Sequence, residues 1–269
     1  MSEIKMQIQD QVVSVPGGKV FARSWIVNSN IAPIFLLHDS LGCVELWRGF
    51  PELLARKLKR NVIAYDRLGF GKSSARQEIP SVNFIEEQAS IFFLAICEQL
   101  QIKNFALLGY SVGGAMAFSI AAKNTKSCEF VISESTQAFV EERTLQGINS
   151  AKLAFLDPKH FNKLKKYHGQ KADWVLRAWT EIWTSQAFAS WNLKTVLETV
   201  DCEVLTIHGD NDEYGSIEFP TLISKNVRGP SEIHILENCG HMPHKEYEST
   251  VLELVDDFVN RCDPKKIKL

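Results

Sequence analysis

Two kinds of apolar pattern alternate along the chain. Residues 34–37 form a continuous apolar run, as in a strand buried on both faces, and residues 61–65 read as another short buried strand. Residues 105–108, 130–133, 204–207 and 233–236 supply four further strands. Between them, residues 47–58 space their apolar positions at the helical period, and residues 84–100, 113–123 and 247–261 read as further helices. Ahead of these, residues 11–15 and 19–26 alternate around Pro16-Gly17-Gly18, which reads as a β-hairpin. Strands alternating with helices predict an α/β fold, with a mostly parallel central sheet and helices on both faces.

One segment breaks this alternation. Residues 137–194 contain no strand pattern. Asp157-Pro158 opens a helix, with the aspartate as cap and the proline in the first turn. Residues 172–191 carry four of the six tryptophans, and Trp179 and Trp183 fall one turn apart on one face. We expect a helical cap over the carboxyl end of the sheet, roofing an apolar pocket. The predicted organisation is a single domain: a core of residues 1–136 and 195–269, and a cap of residues 137–194 inserted between them.

Length and charge narrow the picture further. At 269 residues, 45% of them hydrophobic, the chain can build one sizeable core. A net charge of −2 gives no reason to expect nucleic acid or an anionic membrane as partner, and the basic residues 265–269 read as a solvated terminus. Residues 1–10 lack the apolar centre of a signal peptide, and no apolar run approaches the ~20 residues of a membrane span. The six cysteines are scattered, with no Cys-x-x-Cys pair, as in a reduced, cytoplasmic chain. The expected partner is a small molecule; oligomeric state leaves no trace in the sequence.

The chemistry concentrates in three loops. Gly109-Tyr110-Ser111-Val112-Gly113 follows one strand and precedes a helix of small residues. A serine at the apex of such a turn projects from the end of the sheet, and the amide of the next residue, Val112, points into the same space. A nucleophilic serine needs a base, and the base needs a carboxylate to orient it. His208-Gly209-Asp210-Asn211-Asp212 and Asn238-Cys239-Gly240-His241-Met242-Pro243-His244 follow the last two strands. They therefore belong to the same edge of the sheet.

With those residues in view, the chain resembles the α/β-hydrolase family over nearly its whole length. Residues 109–114 match the family's Gly-x-Ser-x-Gly-Gly elbow, Gly209 to Asp212 its Gly-x-x-Asp acid loop, and Gly240 to Pro243 its Gly-His-x-Pro loop. Residues 66–73 resemble its Asp-x-x-Gly-x-Gly-x-Ser loop. The resemblance implies Ser111 as nucleophile, His241 as base and Asp212 as acid. Glu134, at the end of the strand after the elbow, is the rival acid, and His244 is expected on a helix surface or pocket rim. For the oxyanion hole it implies the amides of Val112 and Ser40, with Leu41 as the alternative. The family has His-Gly where this chain has His38-Asp39, a substitution tolerated if Asp39 adopts left-handed backbone angles.

The implied activity is cleavage of a carboxylic ester, thioester or lactone of a small apolar substrate through an acyl-enzyme. Acyl transfer or peracid formation on the same residues, or a non-catalytic receptor of the same fold, stays open. No cofactor is implied. No metal site is expected either, because Cys239, His241 and His244 lack a second ligand pair with metal-site spacing.

Overall fold

The computed structural model describes residues 5–262. Eight strands, β1 (Gln7–Val15), β2 (Gly18–Ile26), β3 (Ile34–Leu37), β4 (Val62–Tyr65), β5 (Phe105–Tyr110), β6 (Cys128–Glu134), β7 (Glu203–Gly209) and β8 (Ser231–Leu236), form one sheet in the order β1-β2-β4-β3-β5-β6-β7-β8. The hairpin β1–β2 pairs antiparallel and β2 meets β4 antiparallel; every other pairing is parallel. The α-helices are α1 (Phe50–Leu58), α2 (Phe84–Glu87), α3 (Phe93–Gln99), α4 (Val112–Lys123), α5 (Glu142–Ala154), α6 (Pro158–His168), α7 (Ala172–Trp183), α8 (Lys194–Leu197), α9 (Glu218–Asn226), α10 (Pro243–Glu246) and α11 (Glu248–Cys262).

The continuous apolar runs divide their side chains between two layers. Phe35 and Leu37 join α3 and α4, whereas Ile34 and Leu36 join α1 and α11. Each fully buried aliphatic or aromatic side chain contributes roughly 1.5–3 kcal/mol, so both faces of the central strands must be covered. The edge strand β8 differs. Ile233 and Ile235 stay exposed, at the end of the sheet where no further strand pairs. Two expected helices are interrupted. Residues 47–58 divide into a 3-10 turn, Val44–Trp47, and α1, with Arg48 at positive φ between them. Residues 84–100 contain a π-turn, Gln88–Phe92, between α2 and α3.

After β6 the chain leaves the sheet for α5, α6 and α7 and returns at α8. Asp157 caps α6 by accepting from the Lys159 amide, as its position before Pro158 implies. A bridge between Phe139 and Asn192 brings the two ends of this excursion together. Three side chains tie it to the loops after β3 and β4. His168 accepts from the Gly71 amide and donates to the Leu41 carbonyl, each at 2.9 Å. Lys171 reaches the carbonyls of Phe70, Gly71 and Ser73. Trp174 donates to the Glu78 carbonyl at 3.1 Å. The second of these loops is itself fixed by buried Asp66, whose carboxylate accepts from the amides of Val44 and Lys72, each at 2.6 Å.

Among the described residues, no helix is long and apolar enough to cross a membrane. All six cysteines are free thiols. The basic residues 265–269 lie outside the described residues.

Candidate active site

Strand β5 delivers Ser111 into the turn before α4 with φ 57° and ψ −128°, a conformation costly for a residue with a side chain. The surroundings hold it there. A Cβ on Gly109 would strike the backbone of Gly113 and Gly114, and one on Gly113 would strike the Leu37 carbonyl. Only glycine lets β5, α4 and β3 approach this closely.

Three loops from different strand ends converge on that turn. His241 Nε2 lies 3.0 Å from Ser111 Oγ, and His241 Nδ1 lies 2.8 Å from both carboxylate oxygens of Asp212. Ser111, His241 and Asp212 are all buried. Asp212 is further held by the Tyr214 amide at 2.8 Å, and His208 Nε2 stands 3.6 Å from its other oxygen. Burial pushes the Asp212 carboxyl up, but the His241 charge and hydrogen bond, with His208 and the Tyr214 amide, outweigh it and hold the group below its ordinary value. Burial likewise lowers His241, yet the Asp212 charge and hydrogen bond, with Glu213 and Asp39 nearby, raise it above the ordinary histidine value. The imidazole is therefore a stronger base than a free histidine and is oriented with Nε2 toward the serine.

Ser111 Oγ has a second neighbour that the sequence reading passed over. Gln137 Oε1 lies 3.1 Å away, so the hydroxyl proton has two acceptors. Gln137 is the third residue after β6, and its position at the start of the cap segment was the only available signal.

The turn after β3 also closes on the site. His38 is buried and neutral. It donates from Nδ1 to the Asp39 carbonyl at 2.8 Å and accepts the Arg67 amide at Nε2 at 3.1 Å. Burial and then the Arg67 charge hold it well below the usual histidine range. Arg67 donates to the same Asp39 carbonyl at 2.6 Å, and burial lowers its guanidinium to about 10. Asp39 itself does not take the left-handed angles anticipated for it; the positive-φ residues among those described do not include it. The bonds from His38 and Arg67 hold the loop instead. The Leu41 amide faces Asp39 Oδ2 at 3.4 Å, whereas the amides of Ser40 and Val112 have no acceptor among the described residues.

Two rivals of the sequence reading occupy other places. Glu134 does not meet His241. Its Oε2 accepts from His244, at 2.7 Å from Nδ1 and 3.3 Å from the backbone amide. His244 is accordingly buried, not on a surface or rim: Trp47, Phe50 and Tyr110 pack their rings around it at centroid distances of 4.8, 5.4 and 4.9 Å.

Above Ser111 lies a cavity of about 170 Å³, lined by Ser111, His241, Ser40, Gln137, Trp179 and Trp183 among others. A larger open groove of about 1190 Å³ runs along the opposite, amino ends of the strands, past Asn61, Lys103 and Glu129, and touches none of these groups. The arrangement can carry out nucleophilic acyl substitution: an oriented base on a serine, amides ready for an oxyanion, and a cavity with aromatic walls.

Comparison with known proteins agrees with this architecture. A sequence model described as the alpha/beta hydrolase fold matches residues 32–246. The chain is 24% identical to a proline iminopeptidase of Lactobacillus crispatus (strain ST1), over 87% of this chain and 92% of that protein. It is 26% identical to the serine hydrolase BPHL of Mus musculus, over 78% of this chain and 73% of that one. Among solved structures, a membrane phospholipase A described as a bacterial virulence factor superposes with a TM-score of 0.76 at 18% identity, covering 95% and 86% of the two chains.

Proposed function

The chain belongs to the alpha/beta-hydrolase fold family and is a hydrolase, and from that premise we propose that it is a serine hydrolase cleaving a carboxylic ester of a small, mainly apolar substrate. The observation that carries this reading is the unbroken line Asp212–His241–Ser111, with contacts of 2.8 and 3.0 Å. In it, His241 removes the Ser111 proton as Oγ attacks the ester carbonyl. The negative charge that develops on the carbonyl oxygen is received by the amides of Val112 and Ser40. Collapse expels the alcohol, which takes the proton from His241, and leaves an acyl-serine. Water then enters, gives its proton to His241 and attacks the acyl carbon; the acid departs and Ser111 recovers its proton. Asp212 stays ionised throughout and offsets the imidazolium charge.

The proline iminopeptidase relative makes an aminoacyl amide the second reading, on the same residues. Ester cleavage is the first because an alkoxide leaves more readily than an amide nitrogen. Turnover of p-nitrophenyl butyrate, compared between wild type and Ser111→Ala at matched thermal stability, tests the proposal. Loss of essentially all turnover is expected. Equal turnover in the variant would remove Ser111 from the chemistry and the proposal with it.

A further inference from the structure

Two acceptors converge on the nucleophile, one more than its activation needs. Besides His241 Nε2 at 3.0 Å, Ser111 Oγ meets Gln137 Oε1 at 3.1 Å, and it has no other hydrogen-bond partner among the described residues. Both side chains are buried, and both line the cavity above the serine. Neighbouring residues fix the place of Gln137. The chain leaves β6 through Ser135, at φ 46°, and the Ser135 amide donates to the Ile207 carbonyl at 2.9 Å. Thr136 packs so closely on the first turn of α4 that a Cβ on Gly114 would strike its Oγ1. On the other side, the Ala138 carbonyl accepts from the Leu193 amide at 2.7 Å. Gln137 is thus held from both sides, with its carboxamide already against the serine.

During acylation this second acceptor has no task. The Ser111 hydroxyl carries one proton, and attack on the ester sends it to His241. In the acyl-enzyme of the proposed reaction the situation changes. Oγ is then an ester oxygen without a proton, so Gln137 Oε1 loses its donor and faces another acceptor. A buried carbonyl oxygen in that condition is destabilising until a new donor reaches it. The molecule that attacks the acyl carbon arrives at this place, beside His241 Nε2 and Gln137 Oε1. Water brings two O–H groups: one proton goes to His241 as the oxygen attacks, and the other O–H donates to Gln137. An alcohol has a single O–H group. When that group serves His241, Gln137 is left without a donor and the alkyl group lies against it.

We infer that Gln137 makes water the acyl acceptor: with His241 it presents two acceptors to the attacking oxygen and so favours a molecule with two O–H groups over one with a single group. The inference rests on the serine-hydrolase reading and separates hydrolysis from acyl transfer on the same residues. The step balances. Water gives one proton to His241 Nε2, and its oxygen bonds to the acyl carbon. The bond from that carbon to Oγ then breaks, the His241 proton returns to Oγ, and the acid leaves with the proton that Gln137 held. The restored Ser111 hydroxyl again faces both acceptors.

Gln137→Met keeps the length of the side chain and removes the acceptor. Wild type and variant are given p-nitrophenyl butyrate in buffer with increasing methanol, and butyrate and methyl butyrate are both measured. At equal methanol the ratio of methyl butyrate to butyrate is expected to rise at least tenfold in the variant. Release of p-nitrophenol in the first turnover is expected to stay within threefold of wild type, because Gln137 acts after that step. Gln137→Glu, which keeps acceptor oxygens at this place, is expected to stay near the wild-type ratio. Gln137→Ala is read alongside with a thermal melt, so that the result does not hang on the folding of one variant. A ratio unchanged in Gln137→Met and Gln137→Ala overturns the inference, and so does a ratio in Gln137→Glu as high as in Gln137→Met. A wild type that forms no acyl-enzyme on Ser111 with this ester overturns the serine-hydrolase reading and takes the inference down with it.

Discussion

Two acid–histidine couples stand side by side at the carboxyl ends of β6 and β7, and they have nearly the same internal geometry. Asp212 and His241 meet at 2.8 Å, Glu134 and His244 at 2.7 Å, and both carboxylates are inaccessible to solvent. The two histidines even flank the same ring, Tyr110, at 5.2 and 4.9 Å. Their surroundings separate them. The second ring nitrogen of His241 faces Ser111 and the cavity, whereas His244 is enclosed by Trp47, Phe50 and Tyr110. The backbone amide of His244, in the first turn of α10 and two residues beyond His241's neighbour Met242, also donates to Glu134. A carboxylate–imidazole couple is thus not by itself a catalytic unit. On the proposed reading, access to a nucleophile makes one of them a base, while enclosure leaves the other to hold the segment that carries the first.

The sharpest way to break this comparison is to remove each histidine in turn. His241→Ala should lower kcat on an ester substrate by about 10⁶-fold with the fold intact, as expected when the base of a serine–histidine pair is lost. His244→Ala should leave the folded fraction active, with a far smaller effect on kcat. Steady-state kinetics beside a thermal melt separates the two, and equal losses of kcat in two well-folded variants would erase the distinction drawn here. Glu134→Gln comes next in size. It leaves His244 facing an amide in a sealed pocket, and removal of one member of a buried pair costs roughly 3 kcal/mol. Urea unfolding should show a lower midpoint at unchanged slope. An unshifted midpoint would mean that the couple contributes nothing to stability.

The smallest effect is in the pH profile. His241 must be neutral to accept the serine proton, and its value lies above that of a free histidine because Asp212 faces it. Activity should therefore rise with pH along a limb centred above 6.5 and be lost as the imidazole takes up a proton below it. In Asp212→Asn the surviving activity should titrate at lower pH, because the charge that raises the imidazole is gone while its burial remains. A limb that stays in place would show that some other group titrates.

Much of this was legible along the chain. The runs at residues 34–37 and 105–108 gave central strands because a segment apolar at every position has no side to turn to water. The spacing of Gly109, Ser111 and Gly113 gave the elbow, since only that spacing leaves space for the crossing of strand and helix. The misses have a common origin. His244 read as a helix-surface or pocket-rim residue because the aromatic side chains that bury it come from residues 47, 50 and 110. Gln137 carries no local signature, and its role follows from a distance to Ser111. The break at Arg48 and the π-turn at residues 88–92 are adjustments of helices to the surfaces they cover, which helical periodicity does not encode.

The sequence by itself determined which segments are strands and helices, their parallel order, and a short set of candidate groups at one end of the sheet. These follow from side-chain period and turn chemistry, which act over a few residues. Only the tertiary structure decided that Asp212 and not Glu134 faces His241, that His244 is sealed away, and that Gln137 meets Ser111. Those outcomes depend on distances between residues as many as 130 positions apart, set by how the layers pack.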